Sequence, residues 1–253
     1  MNGYEAMFLG FFTILIRTGT AMMVLPGFSA VQVPMQMRLF IALAVSISVF
    51  AMLDAWEGFA AYRGEVTPVM LVQLILTEAF IGLALALPVR LLFLALGFAG
   101  ETITQFIGVN PIPGTPIGDD QPSTTLSAML NVTAVVLFFA SGAHLSFIFA
   151  LAISFTAFPP GEMLSLPALT QSLAEDLSAF FNIVLRLSAP IIIYSVIMNL
   201  VSGLVNKLTP QIPIYFVSAP FLIFGGLFIL MWVGDDMLYL FNVEVNRLMD
   251  AVL

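Results

Sequence analysis

The chain has 253 residues, 60% of them hydrophobic and only 9% charged, where an ordinary soluble domain carries about 25% charged residues. So few charges cannot cover a water-facing surface, and a mean hydropathy of +1.08 points to lipid or apolar neighbouring subunits as the natural surroundings. A net charge of −8 speaks against nucleic acid, which needs basic patches, and the absence of cysteine excludes disulfides and thiolate metal sites.

The opening MNGYEAMF has no basic n-region, so the first hydrophobic segment is expected to stay in the protein rather than be cleaved as a signal peptide. There are six hydrophobic segments in chain order. The first covers 6–25 and contains Arg17; Pro26, Gly27 and Pro34 punctuate the stretch between it and the second. The second, 39–53, is short for a span, and the polar stretch DAWEGFAAYRGE fills 54–65. The third, 66–106, carries Glu78, Pro88, Arg90 and Glu101 and is long enough for one kinked helix or two joined pieces. The fourth covers 124–158, the fifth 177–205 with Arg186 and Pro190 inside, and the sixth 214–233.

Spanning the bilayer core takes about 20 apolar residues. In lipid the backbone must satisfy its own hydrogen bonds, which leaves helices or closed barrels. Barrel strands read as alternating segments of about ten residues; these runs are long and unbroken, so the predicted fold is an all-α membrane protein, one helical domain over 1–253. The tail differs from the rest. Leu238, Phe241, Val245, Leu248 and Val252 recur at spacings of three and four, which makes 235–253 an amphipathic helix. It either folds back on its own protein or docks on another subunit. Lys and Arg are too evenly spread over the loops to fix the topology.

Ionisable residues within apolar segments cost free energy and are candidates for function. Here they are Arg17, Glu78, Arg90, Glu101, His144 and Arg186; the plainer reading is that they pair with each other or mark helix ends. His144 is the only histidine, so a histidine metal cluster is excluded. A serine–histidine dyad with Ser141 or Ser146 lacks the nucleophile-elbow motif, and a hydrogen-bonded histidine between helices is the expected reading. No pattern points to a catalytic residue, a cofactor or a metal.

The linker VNPIPGTPIGDDQPS, 109–123, has four prolines and two glycines, so no helix continues through it. Its flanks are apolar. It is either an ordinary extramembrane loop, which the residues alone favour, or a re-entrant segment, since irregular backbone at membrane depth needs protein or a watery cavity around it.

The stretch NLVSGLVNKLTPQIPIYFVSAPF, with Asn199, Gly203, Leu204, Asn206, Lys207, Pro210, Gln211 and Pro220 in fixed spacing, resembles the FliR family of flagellar export proteins. Arg17, Pro26, Pro34 and Arg38 fit the family's opening, Glu78, Gly82, Gly100 and Glu101 its middle, and Gly142, His144 and Pro159 the segment after it. The resemblance implies a structural subunit, not an enzyme, in the bacterial inner membrane at the flagellar basal body. Its helices would wind with FliP-like and FliQ-like subunits around a central channel, beside FlhA-like and FlhB-like export proteins, and unfolded flagellar subunits would pass through. An injectisome setting is the more distant likeness. The resemblance also makes 107–123 a channel plug, with Phe106, Ile107, Val109, Ile112, Pro113 and Ile117 as its sealing side chains. It leaves Arg17, Glu78, Glu101, His144, Asn199, Asn206, Lys207, Pro210 and Gln211 as structural or interface residues. The competing reading is a secondary transporter for a small solute, supported by Glu78, Arg90 and Arg186 in apolar segments and by breaks at Pro88 and Pro190. An intramembrane enzyme is weakened by the missing motifs.

Overall fold

The computed structural model describes residues 3–30, 32–53, 67–109, 124–161 and 166–252. Among these residues every regular element is an α-helix and there is no strand, as the unbroken apolar runs predict. The helices are α1 (Gly3–Val24), α2 (Met35–Met52), α3 (Pro68–Ile107), α4 (Thr125–Ala140), α5 (Ala143–Ala157), α6 (Leu166–Leu208) and α7 (Ile214–Val252). Five of them are long and apolar enough to cross a membrane, and α4 with α5 makes a sixth, broken candidate.

The third segment takes one of its two readings, and the fourth and sixth differ in detail from the segments read in the sequence. The third segment is a single helix of 40 residues with Pro88 inside it. The fourth turns through 66° between α4 and α5. Gly142 makes that corner at φ 79°, a left-handed conformation that costs glycine little. Its N–H bonds the Phe139 carbonyl at 3.3 Å, and its own carbonyl accepts from Leu145 at 2.8 Å. The sixth segment and the tail form one helix, α7, of 39 residues. Met237, Phe241 and Val245 on its tail are buried, at the four-residue spacing of one helix face.

The chain divides into two compact units. The first takes Met1–Leu91, Phe138–Asp176 and Val245–Leu253. There α1 packs on α2, and α2 on α5. Ile14, Val49, Ala152 and Phe155 form a core cluster flanked by Val45, Phe50 and Leu53, and Phe11 meets Phe50 edge-on at 5.8 Å. The second unit takes Leu92–Leu137 and Leu177–Glu244. Small residues let its helices close up: a Cβ on Gly100 of α3 would stand 2.9 Å from the Ser127 Cα of α4. On α7, Gly226 receives the Ile107 side chain and Gly225 the Tyr194 ring, whose hydroxyl donates to the Phe221 carbonyl at 2.6 Å.

Candidate functional site

Two constructions stand out, one in each unit. In the second unit, α3 ends at the mouth of the proline-rich linker. Gly108, at φ 81°, closes the helix in the left-handed C′ conformation; its N–H bonds the carbonyls of Thr104 and Gln105, and the Val109 N–H returns to Thr104, all at 3.2 Å. Ser195 of α6, itself buried, donates its hydroxyl to the Phe106 carbonyl at 2.7 Å. That carbonyl lies in the last turn of α3, where no helical N–H is left to take it. Asn199 Nδ2 in turn donates to Ser195 Oγ at 3.3 Å, so the Asn199–Phe221 signature reaches the end of α3 through two side chains.

The far end of the linker is fixed to the same place. Thr124 Oγ1 accepts from the Ser127 N–H at 3.2 Å, which caps α4, and meets Thr104 Oγ1 at 3.4 Å. Val109 and Thr124, the described residues on either side of 110–123, are therefore both tied to Thr104 at one stem. Ile107 is 2% exposed and seated on Gly226, while Phe106 and Val109 are 36% and 41% exposed. Ile112, Pro113, Ile117 and the rest of 110–123 lie outside the described residues.

In the first unit Arg17 and Glu78 meet with both side chains fully buried, Nε to Oε2 at 2.7 Å. Arg17 Nη1 donates to Ser154 Oγ at 3.1 Å and Nη2 to the Phe158 carbonyl at 2.9 Å. The guanidinium lies 3.9 Å above the Phe155 ring. Glu78 Oε1 accepts from the Gly161 N–H at 3.1 Å. One ion pair thus ties α1, α3 and α5 to the turn after α5, with donors and acceptors matched as a buried pair requires. Gly82, one turn beyond Glu78, faces Thr20 and the Arg17 carbonyl, so α1 and α3 touch beside the pair. These residues do structural work: both charges are spent on each other and on backbone ends.

The other sequence-predicted residues are dispersed. Glu101 and Asn206 are half-buried; Lys207, Pro210 and Gln211 are exposed at the α6–α7 turn. Arg90 is exposed and reaches the Val24 carbonyl at 3.3 Å. The expected hydrogen bond of His144 is corrected: its Nδ1 is buried without a partner among the described residues, and the ring packs on Phe139 at 5.0 Å. Ser141 donates to the Phe138 carbonyl rather than to His144. No group of three or more His, Cys, Asp or Glu among the described residues could hold a metal. Sequence reasoning missed Ser195, Thr104, Thr124 and Ser154, whose hydroxyls carry both constructions; small hydroxyl residues in apolar helices were the available signal.

The sequence profile described as bacterial export proteins, family 1, matches residues 8–248. The chain belongs to this family. Among its relatives are proteins named flagellar biosynthetic protein FliR. That of Caulobacter vibrioides is 26% identical over 233 residues, 91% of each chain. That of Aquifex aeolicus is 26% identical over 81% of this chain and 78% of its own length, and that of Escherichia coli K12 25% over 86% and 81%. The family likeness drawn from Asn199, Gly203 and Pro210 therefore extends along nearly the whole chain, residues 8–248. Both constructions lie within the matched residues, so the buried pair and the clamped stem belong to the export-family portion of the chain.

Proposed function

We infer that the chain is a membrane subunit of the flagellar protein export apparatus, standing in the inner membrane at the basal body beside FliP-like, FliQ-like, FlhA-like and FlhB-like proteins. It forms one wall of a conduit for unfolded flagellar subunits, and 107–123 closes that conduit. It makes and breaks no bond. Opening is a shift of population toward a displaced plug, driven by whatever binds that state better. In the closed state, apolar side chains exclude ions by keeping water out.

Gly203 carries the reading. It lies in the Asn199–Phe221 stretch that carries the family resemblance, yet among the described residues nothing comes within 4 Å of a Cβ placed on it. Gly82, Gly100 and Gly226 have their space filled by their own protein; Gly203 has open space. Leu200 and Leu204 beside it are exposed. A glycine inside a helix costs about 1 kcal/mol relative to alanine, and small residues are where membrane helices approach most closely. A companion helix explains both the glycine and the bare surface. The α7 span adds to this, with only 6% of its window buried within the chain. The clamped stem supports the plug: its ends are held while Phe106 and Val109 stay partly exposed.

The test co-expresses the chain with the FliP-like and FliQ-like proteins of its own bacterium. Gly203→Leu should not lower the melting of the isolated chain, because it removes a helix glycine without a clash, and should reduce the companions recovered with it at least tenfold. Deleting 110–122 should leave recovery intact and raise ion leakage across the membrane. A wild-type chain that recovers no companion, or that alone carries a solute across vesicles, refutes the assembly. An intact complex without added leak refutes the plug.

A further inference from the structure

On α6, Asn182 and Arg186 stand one turn apart and both are exposed, with exposed Phe181 and Leu185 beside them. The opposite side, at Val184, Leu187 and Ser188, is buried. Between Asp176 and Lys207 the chain has no charge other than Arg186. Along the helix that puts the guanidinium about 15 Å from the first and about 32 Å from the second. Among the described residues it meets no carboxylate within ion-pair distance.

Pro190 adds a second demand at the same turn. It lies inside α6 and has no N–H, so it cannot take the Arg186 carbonyl four residues before it. One turn of an apolar helix surface thus presents guanidinium donors, a backbone acceptor and the Asn182 amide, which both donates and accepts. Hydrocarbon can satisfy none of them, and an unpaired charge there is among the costliest things a membrane helix can show.

We propose that Asn182 and Arg186 form a docking site for an apolar helix of another subunit, one that brings a single carboxylate to the guanidinium. The proposal rests on the reading of the chain as part of an assembly and names the chemistry of one contact in it. Charge complementarity selects a carboxylate. The freed carbonyl and the amide select a partner that donates as well as accepts, as a polar side chain next to the acid would. A lipid phosphate offers acceptors alone. The flanking Phe181 and Leu185 supply the apolar collar that keeps water from such a pair, where a charge-assisted hydrogen bond is worth most.

The experiment uses the full chain purified with its FliP-like and FliQ-like companions. Arg186→Leu and Arg186→Glu should each reduce recovered complex by about tenfold or more, while the isolated chain in detergent melts as the wild type does, because the side chain is exposed and makes no ion pair or hydrogen bond among the described residues. Arg186→Lys should retain part of the recovery. In the Arg186→Glu background, changing the acids within the companions' apolar segments to lysine one at a time should restore assembly at one of them. Three results overturn the site: undiminished recovery with Arg186→Leu, no restoring acid, or a loss of bound phospholipid phosphorus with subunit composition unchanged. The last would assign Arg186 to a headgroup. A wild-type chain that recovers no companion refutes the assembly itself, and with it the site.

Discussion

Removing Glu78 alone should cost more than removing Glu78 and Arg17 together. Both side chains are fully buried, and the guanidinium spends three donors on Glu78, Ser154 and the Phe158 carbonyl. Glu78→Met leaves the Arg17 cation buried without its Glu78 carboxylate, still bonded to Ser154 and the Phe158 carbonyl; Arg17→Met leaves the Glu78 carboxylate buried beside the Gly161 N–H. Breaking a buried pair from one side costs about 3–5 kcal/mol. Replacing both by apolar groups of similar volume removes the desolvation of both charges along with their attraction, so the double variant should lose less than either single one. It will not be free, because the Gly161 N–H and the Phe158 carbonyl lose their partners, at about 1–3 kcal/mol each. Glu78→Gln should fall between: its oxygen can still face Arg17, but its NH₂ would then oppose the Gly161 N–H, donor against donor. Denaturant titration of the four variants in detergent micelles gives the cycle directly. If the double variant loses the sum of the two singles, the residues stabilise independently and the buried-pair reasoning is wrong.

Two further outcomes concern the second unit. Gly226→Val would push a branched side chain into Ile107, against which Gly226 packs; overpacking of this kind costs about 1–3 kcal/mol, read as a lower melting temperature. Ser195→Ala removes the donor to the Phe106 carbonyl and strands that acceptor, at about 1–3 kcal/mol. Because the loss falls on the stem, limited proteolysis within 110–123 should quicken more than cleavage elsewhere; equal acceleration throughout would deny Ser195 its local part.

Helicity and the apolar segments were legible because they depend on composition over long windows. Glu78 and Arg17 were legible as candidates because a charge in an apolar run is conspicuous. Their pairing was not, since 61 residues separate them and nothing local encodes which of several buried ions meet. The 66° corner between α4 and α5 had a local cause in Ser141–Gly142, yet hydropathy averages straight across it. The hydroxyls of Ser195, Thr104 and Thr124 looked like routine small residues of membrane helices; only their convergence on the end of α3 gives them a part. Ile107 shows the opposite case. It belongs to the stretch that the family likeness makes a plug, and its side chain is sunk into the chain's own packing on Gly226.

The glycines show where sequence reading stops and what coordinates add. In a string, Gly82, Gly100, Gly203 and Gly226 are alike: each is a small residue in an apolar helix, and each weakens that helix by about the same amount relative to alanine. A Cβ on Gly82 meets Thr20 and the Arg17 carbonyl, on Gly100 the Ser127 backbone, on Gly226 the Ile107 side chain; on Gly203 it meets nothing within 4 Å among the described residues. Three of the four helix penalties are therefore offset within the chain, by contacts a larger residue would forbid. The fourth has no internal return. Gly203, half-buried beside exposed Leu200 and Leu204 and one turn from Asn206, thus fits the proposed contact with a companion helix. Gly203→Ala separates the two cases: it should raise the stability of the isolated chain by about 0.5–1 kcal/mol while weakening its hold on companion subunits. Equal effects on both would mean that Gly203 serves only its own helix.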